Sequence, residues 1–222
     1  MLPNFLVVGA QKAGTTSLHH YMKGHPDICL PDQKETKFFG LEEKYRKGIE
    51  FYQHKYFSEC DGRPAVGEID PEYMYFVEAY ERIKSHLDMK RLKLLFVLRN
   101  PIERAFSHYL MTYRRGLEPL PFDEAIDAEA ERVVKSEDDN LHYSYVARGF
   151  YLEQILRFHE SVCKERMHFI LSEDLKQNPE GVLENLFRFL EVDTGYVPEN
   201  ICRQFHGATV PRSMSLLKRV EA

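Results

Sequence analysis

The sequence predicts an α/β fold with a central, mostly parallel sheet flanked by helices. Short apolar runs rich in β-branched residues alternate with longer segments of helical composition, and this order is typical of parallel sheets. Residues 92–98 are almost continuously apolar, as expected of a strand covered on both faces. The first apolar run ends in a glycine loop that leads into a helical segment. We therefore expect a single domain over residues 1–222, built around this sheet.

Four strands and six helices follow from the pattern. We predict strands at residues 4–10, 64–68, 92–98 and 167–171. We predict helices at residues 15–23, 77–87, 101–115, 122–135, 152–164 and 179–190. Two helix starts have a physical basis, because Asn100-Pro101 and Asn178-Pro179 each place a capping side chain before a proline suited to the first turn. Residues 137–140 (EDDN) are polar, and we expect them to form a surface loop.

Length and composition exclude several classes of protein. The chain has 222 residues, of which 43% are hydrophobic and 13% aromatic, enough for a buried core and too many for a disordered chain. It is too short for a TIM barrel with additional elements. The net charge of −5 argues against a surface built to bind nucleic acid. No segment approaches the apolar run of about 18 residues that a membrane span requires.

The cysteine pattern and the N-terminus bear on the cellular compartment. Cys29, Cys60, Cys163 and Cys202 are widely spaced, with no CxxC pair and no Cys/His cluster of metal-ligand spacing. We expect free thiols in a reducing compartment, with disulfides as the alternative. The N-terminus does not resemble a signal peptide, which favours a cytoplasmic protein, although a trimmed Golgi luminal domain would read similarly. The sequence stops after a basic and apolar segment, residues 216–220, and we expect the natural protein to continue.

A glycine loop at residues 9–16 (GAQKAGTT) follows the first strand and opens a helix. In this context backbone N–H groups can surround a phosphate at the helix N-terminus. The loop departs from the Walker A pattern, because Thr15 stands where an ATPase or GTPase has lysine. The lysine is Lys12, inside the loop, where it can still reach a bound phosphate. A solvent-facing lysine is the alternative.

The strand at residues 92–98 ends in Arg99 and Asn100, where a P-loop nucleotide hydrolase has an aspartate for Mg²⁺. Ligands of α/β folds bind at the carboxyl ends of the strands, and a forked guanidinium suits a phosphate. Ser107 lies about two turns along the next helix and can face the same crevice. A salt bridge of Arg99 and a solvated serine are the alternative.

Three segments together resemble the sulfotransferases that use 3′-phosphoadenosine-5′-phosphosulfate (PAPS), especially the heparan sulfate sulfotransferase branch. They are VVGAQKAGTTSLHHYMKGHPDI, KETKFF and LLFVLRNPIERAFSHYLM, in this order. Residues 148–151 (RGFY) and 168–175 (HFILSEDL) are similar to the same family. The resemblance therefore extends over most of the chain.

The resemblance implies a P-loop-like three-layer fold and assigns roles to residues. The 5′-phosphosulfate would be bound by Lys12, Ala13, Gly14, Thr15, Thr16 and Ser17. The 3′-phosphate would be bound by Arg99 and Ser107. Lys12 would neutralise the departing phosphate, so that sulfuryl transfer could proceed in line without a metal ion. The product would be the bisphosphate PAP.

The acceptor must lose a proton as it attacks, and the resemblance implies Glu35 as the base. In the family a glutamate stands three residues before a Phe-Phe pair, a spacing that residues 35–39 (ETKFF) reproduce. On chemistry alone, the histidines at positions 19, 20, 25 and 54 are also candidates for the base. A non-catalytic role is the alternative for Glu35, as part of a solvent-exposed run of lysine and glutamate. His25-Pro26 is expected to end the first helix, and at most one of His19 and His20 can face the site.

Some positions depart from the family. Ile69 stands where heparan-type enzymes often have a second lysine, which argues against a heparin-like polyanion as the acceptor. Glu68 and Asp70 either orient the substrate or cap the turn at Pro71. Near the C-terminus, Arg212 is the expected nucleotide contact in place of the family's basic loop.

Three functions remain open at this stage. The first is a PAPS-dependent sulfotransferase acting on a hydroxyl or amine of a carbohydrate or small molecule. The second is a small-molecule kinase of the P-loop type, and the third is a non-catalytic protein that binds PAPS or PAP. We expect no metal site, no nucleic-acid partner and no membrane partner, and the sequence leaves the oligomeric state open.

Overall fold

The computed structural model describes residues 1–201, and this part of the chain contains a wholly parallel sheet of five strands. The strands are β1 (Phe5–Gly9), β2 (Ile28–Cys29), β3 (Ala65–Ile69), β4 (Lys93–Leu98) and β5 (Met167–Leu171). They lie in the order β2-β3-β1-β4-β5. Phe5 of β1 stands opposite Gly67 on one side and Lys93 on the other. The predicted α/β class is confirmed, and the two-residue β2 was not predicted.

Eleven α-helices flank the sheet within residues 1–201. They are α1 (Thr15–Met22), α2 (Glu42–Tyr45), α3 (Ile49–Phe57), α4 (Val77–His86), α5 (Pro101–Arg114), α6 (Phe122–Asp127), α7 (Glu129–Arg132), α8 (Glu137–Tyr143), α9 (Tyr151–His159), α10 (Ser172–Gln177) and α11 (Pro179–Leu190). Both predicted caps form. Asn100 Oδ1 accepts from the backbone N–H groups of Ile102 and Glu103 at 3.0 and 3.3 Å. Asn178 Oδ1 accepts from Gly181 N at 3.1 Å.

Two predictions for the segment 122–140 are wrong. Residues 137–140 begin helix α8, because the Ser136 hydroxyl accepts from Asp139 N at 3.0 Å and acidic residues fill the first turn, where the helix dipole stabilises them. Residues 122–135 form two helices, α6 and α7. The second helix directs the Glu129 carboxylate onto the backbone N–H groups of Val146 and Ala147, at 2.6 and 2.8 Å. Hydrophobic periodicity does not reveal such a long-range bond.

The main apolar core is centred on β1, whose residues Phe5, Leu6, Val7 and Val8 are fully buried. β1 and β3 approach closely at Gly67, where an added Cβ would lie 2.3 Å from the Phe5 carbonyl oxygen. A side chain at this position would therefore push the two strands apart. A second, smaller cluster joins α5 and α6 and consists of Ala105, Tyr109, Leu110, Ala125 and Tyr145.

The expectation of free thiols is wrong for two cysteines. Cys29 on β2 and Cys60 after α3 form a disulfide, with their Cα atoms 5.5 Å apart and a sequence separation of 31. Sequence spacing gave no signal, because the pairing depends on how β2 and the chain after α3 meet beside β3. Cys163 is a free, exposed thiol, and Cys202 lies outside the described residues.

The strand order creates a crevice at the carboxyl edge of the sheet. The chain leaves β1 towards β2 and β3, whereas it leaves β4 towards β5 on the other side. Such a reversal between neighbouring strands is where open α/β sheets bind their ligands. The loops that follow β1 and β4 border this crevice.

Candidate active site

The loop after β1 enters α1 at the carboxyl edge of the sheet. Gly14 has a φ of +108° directly before the helix, and glycine adopts this left-handed conformation without a steric penalty. As far as residues 1–201 show, the first turn of α1 has no acidic residue and no side-chain cap. A helix start of this kind suits a bound anion. The predicted loop residues lie on this turn: Lys12, Ala13, Gly14, Thr15, Thr16 and Ser17.

Lys12 lies half-buried in the loop, in a left-handed conformation with a φ of +69°. Burial lowers the pKa of its ammonium group, and Arg115, Arg114 and Arg99 lower it further. The carboxylate of Glu35 acts in the opposite direction and raises this pKa. Lys12 is therefore part of a group of cations, with Glu35 as the acidic residue that acts on its charge.

Arg99 joins the two loops that border the crevice. Its Nη1 donates to the Lys12 carbonyl oxygen at 3.3 Å, and its Nε and Nη2 donate to Glu103 Oε2 at 3.2 and 2.8 Å. The structure thus contains the salt bridge that was the alternative reading of Arg99, and it also brings Arg99 to the phosphate loop. Ser107 lies on α5 and is 8% exposed, so it is not the solvated serine of that alternative.

Glu35 lies in the connection between β2 and α2. Its Oε1 accepts from Lys34 Nζ at 2.6 Å, and its side chain remains 32% exposed. The residue has a φ of +63°, in a region that non-glycine residues rarely adopt. Glu35 acts electrostatically on Lys12, on His19 and on Asp70. The structure therefore brings the predicted base and the predicted loop lysine into one site.

Two buried carboxylates support the connection that carries Glu35. Glu68 accepts from the hydroxyls of Thr36, Tyr52 and Tyr73 at 2.6, 2.6 and 2.9 Å. Asp70 accepts from Lys37 N at 2.8 Å. Burial raises the pKa of both carboxyl groups. The pKa of Asp70 lies well above its usual range, because the nearby carboxylates of Glu68 and Glu35 raise it further.

A third buried carboxylate, Glu72, links the phosphate loop to a distant segment. Its Oε1 accepts from Gln11 Nε2 at 2.8 Å, and its Oε2 accepts from Arg148 Nη1 at 2.5 Å. The sequence indicated no role for Gln11, and Arg148 stood out only as part of the motif RGFY. The alternation of acidic residues at 68, 70 and 72, at the end of a buried strand, is the signal that could have indicated this support.

The histidines differ in their surroundings. The His25 Nδ1 atom accepts from Asp27 N at 3.0 Å in the turn after α1, and its Nε2 lies 2.8 Å from the carbonyl oxygen of Asp193, after α11. Both ring nitrogens therefore have structural partners. His54 is exposed on α3. His19 is buried, and no partner of its ring nitrogens occurs among the described residues. Burial, with Lys34 next, lowers the pKa of His19 to about 4, so it is uncharged at neutral pH.

Arg212, the predicted nucleotide contact near the C-terminus, lies outside the described residues. Two further predictions concern metal sites and membrane-spanning helices. No group of three or more His, Cys, Asp or Glu residues within residues 1–201 has the geometry of a metal site. In the same range, no helix is both long enough and apolar enough to cross a bilayer.

A known protein family has the sequence pattern of this chain. The model of the sulfotransferase domain family matches residues 2–209. The chain belongs to this family. The resemblance that three motifs indicated is thereby confirmed over nearly the whole chain.

Individual relatives show how the family match extends to known proteins. The membrane-associated sulfotransferase kil1 of Dictyostelium discoideum is 33% identical over 138 residues, 59% of this chain and 28% of the relative. The heparan sulfate glucosamine 3-O-sulfotransferase 5 of Mus musculus is 28% identical over 86% of this chain and 54% of the relative. The chain thus spans less than two thirds of the length of either protein.

A solved structure supports the same fold. The sulfotransferase from Alicyclobacillus acidocaldarius superposes with a TM-score of 0.78 at 30% sequence identity, covering 99% of this chain and 90% of that protein. The P-loop-like architecture implied by the motifs is therefore confirmed. The roles of the individual site residues stay predictions.

Proposed function

We propose that this domain transfers a sulfuryl group from PAPS to a hydroxyl or amine of an acceptor. The observation that carries this proposal is the position of Lys12 in the loop before a helix N-terminus suited to an anion, with Glu35 near enough to raise the pKa of its ammonium group. A cation and a carboxylate placed in this way can serve the leaving group and the attacking group of one transfer reaction. Family membership supports the same chemistry.

In the proposed reaction the acceptor atom forms a bond to sulfur while the bond from sulfur to the 5′-phosphate oxygen breaks. Glu35 takes the proton of the acceptor. The electron pair of the broken bond stays on the phosphate oxygen, and PAP leaves. Lys12 and the amide groups at the start of α1 stabilise the negative charge that develops there.

The nucleotide would lie across the crevice between β1 and β4. Residues 12–17 would bind its 5′ end, while Arg99 and Ser107 would bind its 3′-phosphate. The contact between Arg99 and the Lys12 carbonyl oxygen supports this arrangement, because it fixes the two anion-binding loops relative to each other. Arg212 is proposed as an additional nucleotide contact on the basis of the motif alone.

We propose that the transfer does not depend on a divalent ion. The reason lies in the residues at the strand ends. Arg99 follows β4 at the position where a P-loop hydrolase holds Mg²⁺ with an aspartate, and a guanidinium repels a metal ion. A sulfuryl group also carries less charge than a phosphoryl group, so cationic side chains can suffice.

The acceptor is proposed to be a carbohydrate or a small molecule, with no nucleic-acid partner. Two of the lysines that make the region around Glu35 basic are already engaged. Lys34 pairs with Glu35, and Lys44 donates to the Thr36 carbonyl oxygen at 2.6 Å. With Ile69 in place of a second site lysine, fewer cations remain for a heparin-like polyanion than the sequence suggests.

We propose that residues 1–222 act as one catalytic domain. The sequence favoured the cytoplasm because it shows neither a signal peptide nor an obvious disulfide framework, and the structure changes the second of these grounds. The Cys29–Cys60 disulfide favours an oxidising compartment, such as the secretory pathway. The alternative of a trimmed luminal domain thereby gains support.

The experiment that tests the proposed function measures PAP release from PAPS with a panel of hydroxyl and amine acceptors, in the presence of EDTA. We expect acceptor-dependent PAP release. Glu35→Gln should lower turnover by roughly 10²-fold or more, because general base catalysis contributes about this much, with an unchanged dissociation constant for PAP. Glu43→Gln is the matched control, since Glu43 is an exposed glutamate of the nearby helix α2.

Each alternative has its own outcome in this assay. A kinase would need ATP and Mg²⁺ and would release no PAP. A non-catalytic binder would bind PAPS without turnover. Full activity of Glu35→Gln would remove the residue from its role as base.

A further inference from the structure

The connection that carries Glu35 has an unusual backbone. Glu35 and Lys37 have φ values of +63° and +56°, a left-handed conformation that non-glycine residues adopt at an energetic cost. Such a conformation persists only where the surroundings fix it. Bonds from outside the connection must therefore hold Glu35 in place.

Asp70 supplies a bond of this kind. Its Oδ2 accepts from Lys37 N at 2.8 Å, and its Oδ1 accepts from Glu72 N at 3.2 Å. The backbone N–H of Asp70 donates to the Val7 carbonyl oxygen on β1 at 3.0 Å. Asp70 therefore connects the backbone of the Glu35 segment to the central strand of the sheet.

Glu68 secures the residue between the two left-handed positions. Its Oε2 accepts from the Thr36 hydroxyl at 2.6 Å, and the same hydroxyl accepts from Phe38 N at 3.2 Å. Thr36 is held through its side chain and Lys37 through its backbone. Of these two attachments, the one at Lys37 lies on a left-handed residue, where the backbone conformation is costly.

We propose that Asp70 is a positioning residue that fixes the segment carrying Glu35 and thereby sets the place of the Glu35 carboxylate. Asp70 has no exposed surface, so it acts through the Glu35 segment and not on the substrate. This inference rests on the proposed function for its catalytic consequence. The sequence left two roles open for Asp70, which were to orient the substrate or to cap the turn at Pro71. Its bond from Glu72 N spans Pro71 and caps this turn, and its bond from Lys37 N supports the additional positioning role.

The test compares Asp70→Ala and Asp70→Asn with a matched control. The asparagine oxygen can still accept from Lys37 N, whereas alanine cannot. The control is Asn4→Ala, because Asn4 bonds Pro64 O and Val66 N at 2.8 and 2.9 Å at the opposite end of β3. Hydrogen exchange of the peptide over residues 34–39, kcat and the KM for each substrate are measured for all variants.

We expect Asp70→Ala to increase exchange in residues 34–39 at least tenfold and to lower kcat roughly 10- to 100-fold, because small displacements of a reacting group are costly. The KM for PAPS should change less than about threefold, since Asp70 is linked to the phosphate loop only indirectly, through Glu72. Asp70→Asn should recover most of the protection and of kcat. Asn4→Ala should lower the melting temperature while leaving kcat and the exchange of residues 34–39 unchanged.

Unchanged exchange of residues 34–39 in both Asp70 variants would overturn the proposal. If Asp70→Ala does not fold, Asp70→Asn alone tests the role of the acceptor oxygen. Wild-type values of kcat and of exchange in residues 34–39 support this role. A tenfold loss of kcat and of exchange protection contradicts it. If the wild-type protein releases no PAP, the proposed function fails. The exchange measurement then still decides whether Asp70 holds the Glu35 segment.

Discussion

At the scale of single residues, Arg99 lies where its motif predicts, but its role depends on the groups to which it bonds. The sequence predicted that Arg99 is either a phosphate ligand or part of a salt bridge. The structure contains a guanidinium that bonds both Glu103 and the Lys12 carbonyl oxygen. Neither partner excludes an anion-binding role for Arg99. The Glu103 side chain is half exposed, and the bond to the Lys12 carbonyl oxygen directs Arg99 towards the phosphate loop.

Removal of the Arg99 guanidinium should weaken nucleotide binding. A charge-assisted hydrogen bond contributes about 1.5–3 kcal/mol, so we expect Arg99→Ala to raise the dissociation constant for PAP roughly 10- to 100-fold, measured by calorimetry. Arg99→Lys keeps the charge but not the fork and should show a partial loss. Equal affinity of the wild type and Arg99→Ala would show that the arginine serves only its salt bridge.

At the scale of secondary structure, local signals explain what was predicted and what was not. α11 agrees with its prediction, because the Asn178 cap and Pro179 lie next to each other in sequence. The positive φ of Glu35 and the support of its segment by Asp70 were not predictable, because Asp70 bonds Lys37 N across 33 positions of sequence. Helix α8 was missed because its acidic first turn was interpreted as a polar loop.

Helix α8 provides a direct test of capping at Ser136. Ser136→Ala removes the acceptor of the Asp139 N–H bond, and loss of such a cap costs about 1 kcal/mol. We expect this decrease in the free energy of unfolding, measured by urea titration. Ser136→Thr keeps the hydroxyl and should remain close to the wild type. Equal stability of the alanine variant would indicate that residues 136–140 behave as the surface loop that the sequence predicted.

At the scale of the whole molecule, the disulfide and the site share one segment of chain. The segment between Cys29 and Cys60 contains Glu35, which is the proposed base, and Tyr52, which donates to the buried Glu68. Closing this segment restricts the unfolded chain more than the folded one. The same covalent bond therefore stabilises the folded state of the segment that carries the proposed base.

Loss of this disulfide should destabilise the whole domain. For a closed segment of 31 residues, the chain-entropy model gives about 3–4 kcal/mol, so we expect Cys29→Ser/Cys60→Ser to lose stability of this order in urea titration. Cys163→Ser is the control, because its thiol is free and exposed. Alkylation of the unfolded, unreduced protein followed by mass spectrometry should modify Cys163 and spare Cys29 and Cys60. Modification of Cys29 and Cys60 as well as Cys163 would contradict the disulfide. A cytoplasmic location would then be favoured again, because the oxidising compartment is inferred from this bond.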